Sequence, residues 1–291
     1  MSGRKTISRN LFILISFVFI LNIQLGAQNG KLSYPFFIVQ MTDPQFGFLD
    51  NKDFSGETVL YEKAVEKINS IRPAFIVITG DFVHDRSNQA QWDEFDRITG
   101  RIDKTIPVWL SPGNHDIGMP PEKDDLNKYI KKYGYDRFSF SIRKSMFIGL
   151  NTCLIKSGNN EQEQIQYDWL QQKLKKGKRA KHIILFGHYP FFIKSPDEAE
   201  TYSNIALDLR PKYLDLFKKY GVKAVFSGHL HNNAGSSSDE TEMIVTSAVG
   251  RPLGDAPSGV RIIKVYKDRI THTYYPLDQI PDKVLFNREV R

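Results

Sequence analysis

The sequence predicts a layered α/β sandwich, and three observations carry that prediction. Short apolar runs alternate with amphipathic stretches along most of the chain, as strands and their covering helices would. No linker, low-complexity tract or fixed-period repeat interrupts the series, so residues 28–291 read as one domain. One pair of neighbouring runs reads as a hairpin, which makes the second sheet mixed rather than part of a pure βαβ series.

At the N-terminus, basic Arg4, Lys5 and Arg9 precede an apolar run over 11–21 and the small residues Gly26 and Ala27, the pattern of a secretory signal peptide over 1–27. Cleavage after Ala27 is expected, leaving a secreted or periplasmic protein with no stable membrane span. The strands are expected at 36–41, 75–79, 108–111, 146–150, 182–186, 224–227, 243–247, 260–266 and 271–275. Between them, 57–71, 89–102, 124–132, 160–174 and 207–220 carry apolar residues at helical spacing. Tyr135, Asp136 and Arg137, ahead of the run 138–142, mark the hairpin.

Composition narrows the function. With 291 residues, 25% charged, 41% hydrophobic and only 14 Pro, the chain is neither disordered, collagen-like nor a multi-span membrane protein. Its 1 cysteine, Cys153, forms no intramolecular disulfide and no cysteine zinc cluster, so any metal must be held by His, Asp, Glu, Asn or Gln. The formal charge of +7 owes three cations to the leader and falls to +4 without it. That small excess, with no basic-aromatic groove pattern, argues against nucleic acid as a partner. Lys173, Lys175, Lys176, Lys178, Arg179 and Lys181 follow a helical pattern and read as its solvated end.

The chemistry gathers where strands end. Gly80-Asp81, Gly113-Asn114, Gly187-His188 and Gly228-His229 each close an apolar run, and a further run closes on Asp43-Pro44-Gln45. Glycine there allows an unusual turn and a close approach, and the carboxyl ends of strands are where open α/β sheets bind ligands. His115, His188, His229 and His231 fall within these turns, and His84 follows Asp81 by three residues. His182 and His272 lie outside them and read as packed or surface residues.

In this order the motifs resemble the five motifs of calcineurin-like metallophosphoesterases. The stretches 43–47, 113–118, 166–170 and 226–235 are similar to the subfamily named for the animal calcineurin-like phosphoesterase domain-containing protein, which is described as a serine/threonine phosphatase. Most of the superfamily has His in place of Gln45 and Asp in place of His84; that subfamily shares both departures. Purple acid phosphatases carry a Tyr ligand at the position of His84, which argues against that group.

The resemblance implies a four-layer α/β/β/α sandwich with two mixed sheets. It implies hydrolysis of phosphomonoesters, phosphoproteins among them, by attack of a hydroxide bridging two divalent ions. A phosphodiesterase acting on cyclic nucleotides or phospholipid headgroups stays open, as does a non-catalytic metal-binding scaffold. Asp81 would bridge the ions, with Asp43, Gln45 and His231 completing one site and Asn114, His188 and His229 the other. Extended segments would put Asp43 and Gln45, or His229 and His231, on one side. Two such ions against two carboxylates leave about +2, which attracts an anionic phosphate. The amide oxygen of Gln45, harder than an imidazole nitrogen, favours Mn or Fe over Mg or Zn.

His115 would protonate the leaving group or hold the phosphate, while Asp116 either orients His115 or caps the local turn. His84, Asn204 and Arg251 are the expected substrate contacts. Phe46, Phe191, Phe192 and Tyr202 are read first as loop packing and second as a substrate rim.

Overall fold

Strand β1 (Phe36–Met41) has two faces with two destinations. Phe36 and Ile38 join a core with Phe147, Ile184, Phe186 and Phe226, whereas Val39 and Met41 pack with Tyr61, Val65 and Ile68. A two-residue side-chain period sends alternate positions to opposite faces, so β1 belongs to an inner layer, with a sheet on one side and helices on the other. The computed structural model describes residues 33–158 and 160–286; the expected leader, 1–27, lies outside them.

The first sheet contains β1, β2 (Ile76–Thr79), β3 (Val108–Ser111), β10 (Gly259–Val265) and β11 (Ile270–Pro276), in the order β11-β10-β1-β2-β3. The second contains β4 (Phe138–Ile142), β5 (Ser145–Gly149), β6 (His182–Phe186), β7 (Ala224–Ser227), β8 (Ala234–Ser238) and β9 (Thr241–Val245), in the order β4-β5-β6-β7-β9-β8. In the first sheet β1, β2 and β3 pair in parallel out to the β3 edge, and in the second the parallel pairs form the middle, while β10, β11, β4 and β8 pair antiparallel, so both sheets are mixed. Helices α1 (Ser55–Ile71) and α2 (Gln89–Thr99) bury Tyr61, Ala64, Ile68, Phe95 and Ile98 against the first sheet, giving one outer layer. Helices α6 (Asn160–Lys176) and α7 (Arg210–Tyr220) bury Leu170, Leu174, Tyr213 and Phe217 in the other. Between them in the chain lie α3 (Asn114–Ile117), α4 (Lys123–Tyr133) and α5 (Thr152–Lys156). Among the described residues no helix is long and apolar enough to cross a membrane.

Strand β8 was not expected, because its sequence Ala-Gly-Ser-Ser-Ser has no apolar pattern. Its ladder to β9, from Ala234 opposite Val245 to Ser238 opposite Thr241, holds it in place. That hairpin also starts β9 at Thr241 rather than at 243. Helices α3 and α5 are too short to show a period.

The layer between the sheets changes character along the strands. Phe75 and Phe147 meet edge to face at 4.8 Å, but the carboxyl ends of the other strands supply Gln40, Thr79, Ser227 and Thr246, and the amino end of antiparallel β10 supplies Arg261. Gln40 Nε2 donates to Thr79 Oγ1 (2.9 Å) and to the Ser227 carbonyl (3.1 Å), and Gln40 Oε1 accepts from Thr246 Oγ1 (2.7 Å). Every polar atom of this floor that is buried needs a partner, and these bonds tie the two sheets together directly beneath the motif turns.

Candidate metal centre

Asp43, Asp81 and Asn114 follow β1, β2 and β3, and His188, His229 and His231 follow β6 and β7, so the two sheets deliver their motif turns to one place. Ligand atoms of Asp81, His188 and His229 lie within 4.8 Å of one another, and so do those of Asp43, Asp81 and His231. Asp81 is common to both groups.

The backbone delivering them is strained. Asp43 (φ 51°), Gln45 (φ 39°), Asp81 (φ 49°), His229 (φ 71°) and His231 (φ 50°) all occupy the left-handed region. Residues other than Gly rarely adopt it, and each such residue costs of order 1–3 kcal/mol and persists only because its surroundings over-determine it. The expectation of extended segments is therefore corrected: Asp43 and Gln45, and His229 and His231, are paired left-handed turn residues. The surroundings also explain two glycines. A Cβ on Gly228 would overlap Thr42 Oγ1 and Asp43 Oδ2, and one on Gly113 would overlap the Asp81 carboxylate, so only Gly lets the strand ends approach this closely.

Charge and hydrogen bonding point to a cation. His188 Nδ1 donates to the Thr79 carbonyl at 3.0 Å, which leaves Nε2 facing Asp81 Oδ2 (3.2 Å), Asn114 Oδ1 (3.1 Å) and His229 Nδ1 (3.1 Å). Four electron-pair donors converge there. Burial works against a charged His188, yet Asp81 and Asp43 outweigh it and push the ring up to about 9. Burial and the His188 charge push His229 down to about 3. Burial would raise Asp81, but His188, His115 and His229 hold it below the usual carboxylate range, whereas in Asp43 burial prevails and raises it. His231 Nδ1 donates to the Arg251 carbonyl and its Nε2 lies 3.7 Å from Asp43 Oδ1.

Gln45 Oε1 and His229 Nε2 are buried without any hydrogen-bond partner. A buried polar atom left so costs about 1–3 kcal/mol. Unpartnered donors beside carboxylates, with imidazoles anchored through their other nitrogen to carbonyls, fit the chemistry of divalent-cation ligands.

The other expected site residues divide. His115 donates its backbone N–H to Asp81 Oδ1 (2.9 Å) and its Nδ1–H to the His84 carbonyl (2.7 Å), and its ring stacks on that of His84 at 4.8 Å. His84 thus positions His115. Asp116 does not: its carboxylate accepts from the backbone N–H of Gly113 (2.8 Å) and Phe82 (2.8 Å), so it is the turn cap, and burial beside Asp81 raises it to about 8. Asn204 is corrected as a substrate contact, because it is buried with its amide spent on Thr201 N (2.8 Å) and Glu198 Oε1 (2.6 Å). Arg251 meets the site through its carbonyl, and its side chain is exposed. Phe46, Phe191 and Phe192 are core residues. Tyr202 instead stands over the site, its ring 5.0 Å from His229 and its hydroxyl accepting from Asn114 Nδ2 at 3.2 Å. Sequence reading passed over Phe48, whose ring lies 5.0 Å from His231, and Thr42, which donates to Asp43 Oδ2 at 2.6 Å. Their positions beside Gln45 and Asp43 were the available signal.

Comparison with known proteins agrees with this architecture. A family model for calcineurin-like phosphoesterases matches residues 38–233. The chain is 35% identical over 271 residues to serine/threonine-protein phosphatase CPPED1 of Rattus norvegicus, spanning 86% of this chain and 87% of that protein. The Homo sapiens protein of the same name is 34% identical over 270 residues, 86% of each chain. A dimetal phosphatase structure from Danio rerio superposes with a TM-score of 0.62 at 14% identity, covering 83% of this chain and 96% of that one. The yellow lupin purple acid phosphatase PPD1 gives 0.63 at 14% identity, covering 86% and 53%. Those two share the fold; the family model and the sequence relatives carry the kinship, and this chain belongs to the calcineurin-like phosphoesterase family of metal-dependent phosphoester hydrolases.

Proposed function

We propose that the protein is an exported phosphomonoesterase with a binuclear metal centre, phosphoserine and phosphothreonine esters being among its substrates. The convergence of Asp81, Asn114 and His229 on His188 Nε2 carries this reading, and the buried, unpartnered amide oxygen of Gln45, two residues after Asp43, supports it. The CPPED1 relatives, named serine/threonine-protein phosphatases, support the substrate class. Asp81 is shared between two cation sites, one completed by Asp43, Gln45 and His231 and the other by Asn114, His188 and His229. Two divalent cations bound there supply the positive charge that an anionic ester and an ionising water require. The amide oxygen of Gln45 favours Mn or Fe.

His115 is the proton donor to the leaving oxygen. Its Nδ1–H is held by the His84 carbonyl, so Nε2 is the nitrogen that exchanges a proton with substrate. The basic, apolar and small-residue pattern of 1–27 supports export, and intact-mass analysis of native protein checks it: a chain beginning at Gln28 is expected, and one beginning at Met1 in a cytosolic fraction rejects export.

The activity is tested on chelator-stripped protein reloaded with Mn²⁺. Metal-dependent turnover of para-nitrophenyl phosphate and a phosphoserine peptide, faster than that of bis(para-nitrophenyl) phosphate, is the expected result. Preference for the diester rejects the monoesterase, and no turnover of any ester leaves a metal-binding scaffold.

A further inference from the structure

The loop between His188 and α7 is braced around one exposed ring. Glu198 gathers on its carboxylate the backbone N–H groups of Ile193 (2.8 Å), Lys194 (2.7 Å) and Ser195 (3.3 Å) and the Asn204 amide (2.6 Å). Arg210, wholly buried, donates to the carbonyls of Ile205 (2.8 Å), Pro196 (3.0 Å) and Glu198 (2.5 Å). Next to residue 202 the chain is clamped twice more: Thr201 N–H donates to Asn204 Oδ1 (2.8 Å), and the Thr201 carbonyl accepts from Lys156 Nζ (2.6 Å).

This bracing holds Tyr202 in an unfavourable place for an aromatic residue. The residue is 64% exposed, although burying an aromatic ring would withdraw on the order of 150–250 Å² from water. The ring sits over His229, and Asn114 Nδ2 fixes its far end by donating to the hydroxyl. Since the tyrosine oxygen accepts there, its own O–H proton remains available to an oxygen of a bound anion. Apolar surface continues around the cluster. Phe48 leans on His231 and is followed by exposed Leu49, and exposed Leu253 donates its N–H to the His231 carbonyl at 2.8 Å. A charged centre with an apolar rim complements a ligand that is anionic at one end and apolar beside it.

We propose that Tyr202 is a substrate-contacting specificity residue that, among the phosphomonoesters the centre takes, favours those with an apolar, aryl-type group beside the phosphate. The proposal rests on the phosphoesterase reading but is tested by binding, which needs no turnover. Phenylphosphonate and methylphosphonate are titrated calorimetrically into the full Mn²⁺-loaded protein. Wild type is expected to bind the phenyl compound more tightly. Tyr202→Ala should lose about tenfold of that affinity and less than about twofold for the methyl compound, the size of one lost aromatic contact. Tyr202→Phe keeps the ring and should retain the preference. Glu198→Ala, which releases the loop without altering any group at the centre, should reproduce the aryl-selective loss. Equal weakening of both phosphonates in Tyr202→Ala, or no weakening, overturns the proposal. If wild type hydrolyses no ester, the phosphoesterase reading fails separately, and the two phosphonates still decide the role of Tyr202.

Discussion

Asp81 is fixed on both oxygens, with Oδ1 accepting from His115 N at 2.9 Å and Oδ2 lying 3.2 Å from His188 Nε2. Asp81→Asn preserves that shape and removes the charge that neutralises and spaces two cations. Metal content should fall at both sites and turnover by at least about 100-fold, since even indirect disturbance of a metal ligand costs 10–100-fold; elemental analysis showing two full equivalents with unchanged activity would reject the assignment. His115→Ala should behave differently, keeping its metal while slowing alkyl phosphate esters by about 10²–10⁴-fold and para-nitrophenyl phosphate less, because a nitrophenolate leaves without protonation. Equal slowing of both esters, or loss of metal, would withdraw the proton-donor role. The residues behind these two predictions were legible because glycine followed by a polar residue at a strand end is a local signal. Asn204 misled because its partner, Glu198, is defined by a loop that no period describes. Asp116 could be either orienter or cap until its bonds to Gly113 and Phe82 were seen.

At the level of elements, β10 and β11 were read from apolar content, and β8 was missed because its ladder with β9, not its side chains, makes it a strand. These strands also carry a pH-dependent contact that periodicity cannot reveal. His272 on β11 points Nδ1 at Arg261 Nη1 (3.0 Å) on β10 and donates from Nε2 to Glu242 Oε2 (2.9 Å) on β9, with Phe226 of β7 edge-on at 5.3 Å. Burial lowers its affinity for a proton from the ordinary value of 6.5; Glu242 opposes this and Arg261 adds to it. A folded-state value below the unfolded one means that the unfolded chain binds more protons. The stability held by neutral His272 is thus fully present above the unfolded value and is lost as the pH falls through the folded one. His272→Gln keeps a donor for Glu242 but takes up no proton. The urea midpoint of the metal-loaded protein should therefore fall less between pH 7.5 and pH 5 in this variant than in wild type. An identical fall in both would remove His272 from the account of acid sensitivity.

Across the whole molecule, the candidate ligands divide by sheet, with Asp43, Asp81 and Asn114 carried by the first and His188, His229 and His231 by the second. The aromatic layer, with Phe75 against Phe147, joins the sheets away from the site, but at the carboxyl ends the join is polar. Five residues of the site, held in left-handed conformations, burden that end with backbone strain that the native contacts must offset. Cations bound between the sheets would therefore cross-link them where packing contributes least, and binding to the folded state alone stabilises it by mass action. At a free ion concentration 100 times the dissociation constant the gain is about 2.7 kcal/mol, which in a domain of this size corresponds to a shift of roughly 5–10 °C in the thermal midpoint. Calorimetric scans should show a shift of that size between EDTA-treated and Mn²⁺-saturated wild type, and little or none in Asp81→Asn. A wild-type midpoint that chelation does not move would mean that the sheets are joined without the centre, and that the strain is balanced by the protein's own hydrogen bonds alone.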